Sequence, residues 1–413
     1  MDATGGPQIL ELACKSLPIT IYDTKCVQQR GVLCRAALTR LAQVGACFCT
    51  LRGAGRARSR DGRAAGTPLS QLVLRTRSRA ERPAAAPAAR PQVFELDGAD
   101  VKPLASAEHT HGFKCGSFGA SSLAERSLAT GGHGGYLHTW DLERLDAGPT
   151  WAVKAHTGLV NALDGVGGRS AGHGAPELAT AGRDGAVRIW DPRQRDAPVA
   201  SFEPAPAAGA GAADAAAARD CWAVAFGDAA DDASRCVAAG YANGDVKLFD
   251  LRAPATPRFE TNVGNGVCGL EFDRREIAMN KLLAVCLEGA LHAWDCRTQH
   301  PVKGLARVSA RAPASATLWG VRHLPQNRDV CAVQGGNGAL WLYRYSYPDA
   351  RARKDNDGVM EGVAGELSVI ASRDVSTQPV ASFDWSPDKE GLAVCGAFDQ
   401  CVRVLAVTRL NKL

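Results

Sequence analysis

A hydroxyl, an imidazole and a carboxylate within mutual reach can run acyl transfer, and this 413-residue chain offers such a set in Thr180, His156 and Asp184. With Trp190 added, the same groups can instead form a closed chain of hydrogen bonds that stiffens a sheet. The structural reading comes first, because no G-x-S-x-G elbow accompanies the set and its order follows a repeat described below. Other chemistry finds no foothold. There is no Walker loop, no G-x-G-x-x-G and no H-E-x-x-H. His133 and His138 flank a tight turn and are expected to face solvent or packing. Cys47 and Cys49 are the only close cysteine pair, with no histidine near them. No cofactor and no metal are expected.

The elements that would hold these residues recur. Six strings end in an aromatic followed by an acid or polar residue: QVFEL (92–96), LHTWDL (137–142), VRIWDP (187–192), VKLFDL (246–251), LHAWDC (291–296) and LWLYRY (340–345); VRVLAV (402–407) keeps the strand with Leu405. Positions 94, 140, 190, 249, 294, 343 and 405 are separated by 46, 50, 59, 45, 49 and 62 residues. A period of about 40–45 residues with a W-D ending is the WD40 signature, one four-stranded propeller blade per repeat. The long gaps have an Ala/Gly tract (205–218) and a polar loop (346–365) as their causes.

In the third repeat the predicted strands are 160–166, 177–182, 186–191 and 198–204. The seventh repeat lacks an outer strand, which PQILELA (7–13) can supply, removing an exposed edge. The expected fold is therefore all-β: a single seven-bladed propeller over 1–413, closed by the N-terminal strand. His156, Thr180, Asp184 and Trp190 make a complete polar network in the third blade. Elsewhere only Asn243, Asn337 or Asp399 stands at the Asp position.

Composition limits the alternatives. Hydrophobic residues are 46% of the chain, enough for a core and too many for global disorder. The longest apolar run, 41–51, is too short to span a membrane, and no base precedes Lys15 to make a signal peptide. Most of the 14 cysteines sit inside apolar strand-like strings, as buried thiols in a reducing compartment. The net charge of +5 arises in one place: residues 31–90 hold 12 Arg against Asp61 and Glu81, and the rest is mildly acidic. No nucleic-acid partner is expected, since that segment has a single aromatic, Phe48, to stack a base.

RDCWAVAFG (219–227), NGVCGLEFDRREIAMNKL (265–282), STQPVASFDWSPDK (376–389) and FDQCVRVLAVTRLNKL (398–413) closely resemble the WD-repeat family of axonemal dynein preassembly factors. The resemblance covers 91–413 and, more weakly, 7–30. It implies a cytoplasmic scaffold that works with a prefoldin-like co-chaperone complex containing RuvB-like ATPases and acts on dynein heavy chains. It fails between Arg30 and Pro91, where 66 residues (26–91) separate the expected first and third strands of the first blade, against 17 in the second. Residues 31–91 read as an insert, irregular and exposed, that is translated non-coding sequence.

Loops on the propeller faces are the expected binding elements. Arg183, Asp220, Trp222, Trp319 and Asn337 are the partner-binding candidates, since Arg and Trp are enriched at interface hot spots. Trp222 and Trp319 can also be read as packing residues of the first strands. A third reading rests on WDPR, FDLR and WDCR, which place Arg193, Arg252 and Arg297 just after a third strand. These boxes resemble those by which propeller receptors dock onto cullin ubiquitin ligases; in the bland reading each Arg pairs with a neighbouring blade's acid. The chain is expected to be a monomer.

Overall fold

Short apolar runs punctuated by Gly, Asp and Asn bury themselves best as strands in sheets stacked face to face. The computed structural model describes residues 6–16, 24–27, 33–40, 45–52, 57–58, 64–65 and 71–73. From Pro91 onward it describes all but 98–99, 122–126, 168–174, 204–219, 232, 254–255, 275 and 413. Almost everything described is strand or turn; among the described residues the helical elements are two single turns, Leu145–Ala147 and Leu410–Lys412.

Six four-stranded antiparallel sheets form a propeller-like arrangement. Blade A is Phe113–Ser117, Ser127–Gly132, Tyr136–Asp141 and Pro149–Lys154. Blade B is Val160–Val166, Glu177–Gly182, Val187–Trp190 and Ala200–Phe202. Blade C is Cys221–Gly227, Cys236–Tyr241, Asp245–Asp250 and Phe259–Asn262. Blade D is Val267–Phe272, Lys281–Cys286, Ala290–His300 and Gly304–Arg311. Blade E is Leu318–Leu324, Asn327–Gly335, Ala339–Ser346 and Glu366–Asp374. Blade F joins Val380–Trp385, Leu392–Ala397 and Cys401–Thr408 to the N-terminal strand Gln8–Ser16. That last pairing runs from Gln8↔Thr408 to Ser16↔Cys401.

The expected count of seven four-stranded blades needs correction: among the described residues six are formed. Where the first was expected lies a six-stranded sheet, ordered 24–27, 45–52, 71–73, 33–40, 92–97 and 100–106. Its surplus strands come from the Arg-rich stretch, which hydrogen-bonds into the sheet beside the first W-D-like string, as in Ala37↔Val93. The expected irregular excursion over 31–91 thus contains paired backbone at 33–40 and 45–52; 74–90 lies outside the described residues. So do 17–23, most of the expected strand ITIYDTK, and the Ala/Gly tract. The polar loop 346–365 contains a hairpin, Ala352–Lys354 with Met360–Gly362, tied to blade D by Asp355, 2.9 Å from the His300 imidazole.

The terminal aromatics of the second to sixth strings lie in third strands and are buried: Trp140, Trp190, Phe249, Trp294 and Tyr343, with Leu405 in the seventh string. Apolar clusters fill the space between neighbouring blades: Leu178 and Trp190 of B pack with Cys115 and Leu137 of A, and Phe226 of C with Val187 and Ile189 of B. Two carboxylates at the fifth position of a first strand cross to the next blade. Asp164 accepts from the Phe226 N–H at 2.9 Å, and Glu271 from the His323 N–H at 2.5 Å. Arg235, only 2% exposed, reaches back from blade C to Glu177 of blade B at 2.6 Å.

Candidate functional site

One irregularity recurs in all six first strands. Register shifts between the first and third residues, at Phe113/Cys115, Val160/Ala162, Cys221/Ala223, Val267/Gly269, Leu318/Gly320 and Val380/Ser382. The second residue of each strand is thereby left out of the ladder, and a bulge re-aims the side chain it carries. Those residues are Lys114, Asn161, Trp222, Cys268, Trp319 and Ala381. All six line one central cavity of about 530 Å³.

Of the five predicted partner-binding residues, Arg183, Asp220, Trp222 and Trp319 line this cavity. Asn337 does not: it sits exposed in the second-to-third-strand turn of blade E, where its side-chain oxygen accepts from the Ala339 N–H at 3.2 Å. The glycine beside it, Gly338, has φ +89°, the left-handed conformation that such turns demand. Trp222 packs over Gly266, where a Cβ would come 2.5 Å from its ring. Trp319 lies over Gly336 and meets Phe398 edge-on at 5.8 Å, yet remains 38% exposed. Both tryptophans therefore pack on a loop and present a face to the cavity.

Sequence reasoning missed Lys114, Asn161 and Cys268. The Lys114 ammonium donates to the Asn161 side-chain oxygen at 2.8 Å. The Asn161 amide in turn donates to Asp220 and to the Cys221 carbonyl, the latter at 2.9 Å. Burial, and with it the charge of Arg183, pulls the Lys114 pKa below its ordinary value, against the pull of Asp220. Burial pushes the Cys268 thiol up to about 12, so it is no thiolate nucleophile. Ser382, at the third position in blade F, is 3% exposed and its hydroxyl has no hydrogen-bond partner among the described residues.

The polar set of blade B forms a continuous chain. The Trp190 indole donates to the Thr180 oxygen at 3.0 Å, Thr180 to His156 Nε2 at 2.8 Å, and His156 Nδ1 to Asp184 at 2.8 Å, with the tautomer assigned from these partners. Burial alone would raise the Asp184 pKa. The His156 hydrogen bond and charge, the Thr157 N–H and the Arg188 guanidinium outweigh it and hold the carboxyl well below the usual range. Thr180 is 0% exposed, so its oxygen cannot meet a substrate. Part of the motif recurs: Trp140 donates to Thr130 at 2.9 Å in blade A, and Ser376 to Asp399 at 2.7 Å in blade F.

Arg193, Arg252 and Arg297 fold back onto the Asp of their own W-D string rather than onto a neighbouring blade. Arg193 is bidentate to Asp191 at 3.0 and 2.7 Å, and Arg252 to Asp250 at 3.1 and 2.9 Å. Arg297 meets Asp295 in the same way. In each case the Asp also accepts the Arg backbone N–H, so the third strand ends in a closed turn. Arg193 and Arg252 stay 64% exposed at the side chain.

Among the described residues no group of three or more His, Cys, Asp or Glu could hold a metal, and no helix is long and apolar enough to cross a membrane. Ten of the cysteines, from Cys14 and Cys115 to Cys401, are free thiols.

Repeated four-stranded sheets around a lined central cavity define a β-propeller of the kind that presents binding surfaces on a rigid frame. The chain belongs to the dynein axonemal assembly factor 10 family. It is 49% identical to the Chlamydomonas reinhardtii protein of that name over 413 residues, covering all of both chains. It is 55% identical to the Xenopus laevis and 53% to the Homo sapiens proteins of the same name over 322 residues, which is 78% of this chain and 87% of theirs. A scan against protein-family profiles finds no match. Among solved structures, a chain in the crystal structure of the mitotic checkpoint complex superposes with a TM-score of 0.61 at 14% identity, over 96% of this chain and 91% of that one, which speaks to the fold alone.

Proposed function

We propose that this protein is a non-catalytic cytoplasmic scaffold for the preassembly and stability of axonemal dynein heavy chains, acting with a prefoldin-like co-chaperone complex that contains RuvB-like ATPases. The observation that carries the reading is identity near one half, over the whole chain, to a protein named for axonemal dynein assembly. The sealed Thr180 supports a structural rather than a hydrolytic role for the blade B network. The scaffold is a monomer whose 24–106 sheet takes the place of a seventh blade. In support, Val93 packs with Phe113 and Trp140 of blade A, and strand 24–27 runs beside Val380–Trp385 of blade F. A null strain is expected to lose axonemal dynein heavy chains and to beat poorly; normal heavy-chain levels there would overturn the assembly role.

The second reading is a substrate receptor of a cullin ubiquitin ligase, favoured by the exposure of Arg193 and Arg252. The self-paired guanidinium groups weigh against it, since docking would have to break a bidentate bond in each box. Binding of the purified protein to a cullin adaptor, beside binding to the prefoldin-like complex, separates the two.

A further inference from the structure

The hydrogen-bonded ladder places no demand on the side chain of a residue that a bulge ejects from it, so side chains at the bulges can face a ligand, Asn161 being held by the next blade through Asp220 and the Cys221 carbonyl. Two of them are tryptophans, large apolar surfaces that cost little ordering entropy to use. A third, the half-buried Lys114, brings a positive charge into the cavity wall. Among the described residues it forms no ion pair, and its one hydrogen bond goes to a neutral amide, Asn161. Arg183, from the second-to-third-strand turn of blade B, lines the same cavity and close enough to Lys114 to lower its pKa; it too has no ion pair among the described residues. Asp220, held by Asn161, answers only one of these two cations. The remaining cation in the wall, Arg322, already faces Glu271 at 3.6 Å and Asp384 at 3.9 Å. Among the described residues, opposite charge is therefore missing at the Lys114–Arg183 side, beside a half-buried Trp222 and an exposed Trp319. The Ser382 hydroxyl offers a further buried donor with no acceptor. Two like charges held together at a partly desolvated site are costly unless an anion is brought to them.

We propose that the central cavity receives a segment of a partner protein in which an Asp or Glu side chain meets Lys114 and Arg183 while an adjacent apolar or aromatic side chain packs against Trp222 and Trp319. The bulge ring is thus a peptide-recognition site with a stated preference. This deepens the scaffold reading given above, and names the chemistry of the partner. A single carboxylate is matched to the site, because Asp220 leaves about one charge to be answered. An apolar neighbour is required because most of the wall is apolar and 530 Å³ exceeds the volume of one side chain.

The test is to pan a phage-displayed library of random nonapeptides on the full chain, and then measure the selected peptides by fluorescence anisotropy. Enrichment of Asp or Glu next to Leu, Phe or Trp is expected. Binding is expected to weaken about tenfold or more in Arg183→Gln and in Lys114→Met, and to fall as salt is raised. Arg183 is exposed and unpaired, so its variant keeps the fold even if the Lys114 variant does not. Replacing the selected acid by Asn or Gln in the peptide makes the same point with the protein untouched. Enrichment of Lys or Arg would overturn the proposal, as would no enrichment over an unrelated propeller, or selected peptides that bind Arg183→Gln and Trp319→Ala as tightly as the parent. Inorganic phosphate competing as well as the peptide would overturn it in favour of a small-anion site. None of these outcomes depends on dynein levels in a null strain, so failure here and failure of the assembly role are read separately.

Discussion

Removing the Asp184 carboxylate would leave the His156 Nδ1–H without its acceptor inside a sealed wall, and would also release the Thr157 N–H and Arg188. Asp184→Ala is expected to cost on the order of 1–3 kcal/mol in denaturant unfolding, and Asp184→Asn less, because the amide oxygen still accepts. Equal stability of both variants and the parent would show that the chain of bonds contributes nothing. Three other histidines respond to pH. Burial holds His133, His138 and His292 at about 4 in place of the ordinary 6.5, with Lys114, His109 and His111, and Arg307 and Arg311 adding to the effect in turn. A group depressed in the folded state favours folding above its unfolded pKa. Its contribution falls away as protons bind the unfolded chain first, so the melting temperature is expected to drop between about pH 6.5 and 4. Asp184, held low, keeps its partners through that window. His138→Phe, which removes one of the three, is expected to flatten the profile; an unchanged slope would mean that the carboxylates govern it.

Among the elements, the N-terminal strand has a part that its length does not suggest. Ile9 is buried with Leu405 and Val407, Glu11 lies 3.4 Å from Arg403, and Arg373 donates to the Ile9 carbonyl at 2.7 Å. Deleting residues 1–13 would expose Cys401–Thr408 as an edge, lose about 1.5–3 kcal/mol from Ile9 alone, and bring aggregation or a lower melting temperature. A truncated chain that stays monomeric with the parent's melting temperature would contradict this. The third strands were legible in the sequence because packing between blades requires a large residue at one fixed place, and the following Asp closes the turn. First strands carry no such marker. Their bulge residues recur at intervals of 47, 61, 46, 51 and 62, much like the aromatics, but as Lys, Asn, Trp, Cys, Trp and Ala they share no chemistry to search for. Trp222 and Trp319 stood out only because tryptophan is enriched at interface hot spots. The Arg235–Glu177 pair was invisible for a different reason: its partners lie 58 residues apart, on separate blades.

For the molecule as a whole, the fold class followed from the repeat period, while the blade count did not, because an inserted stretch can add strands to a sheet without adding a motif. Residues 31–91 remain the segment most foreign to the repeat: Arg-rich and Ala-rich, with poor strand propensity and self-repelling charge. The frog and human relatives align with 322 residues of the chain, whereas the algal relative aligns throughout. A native transcript is expected to replace the 66-residue gap with one nearer the 17 residues of the next repeat, leaving a near-neutral or acidic protein. Peptides from 31–91 in the native protein, together with protease protection of that stretch, would refute it.

The six bulges also bear on how such a protein can change over time. Most positions in a blade answer to two neighbours at once, so a substitution there is judged first by whether the sheets still stack. At 114, 161, 222, 268, 319 and 381 the ladder bonds pass the residue by, so a substitution there disturbs the blade only through what the side chain itself holds, as Asn161 holds Asp220 and Trp222 covers Gly266. Change at these six sites would therefore reshape the cavity wall while leaving the ladder itself in place.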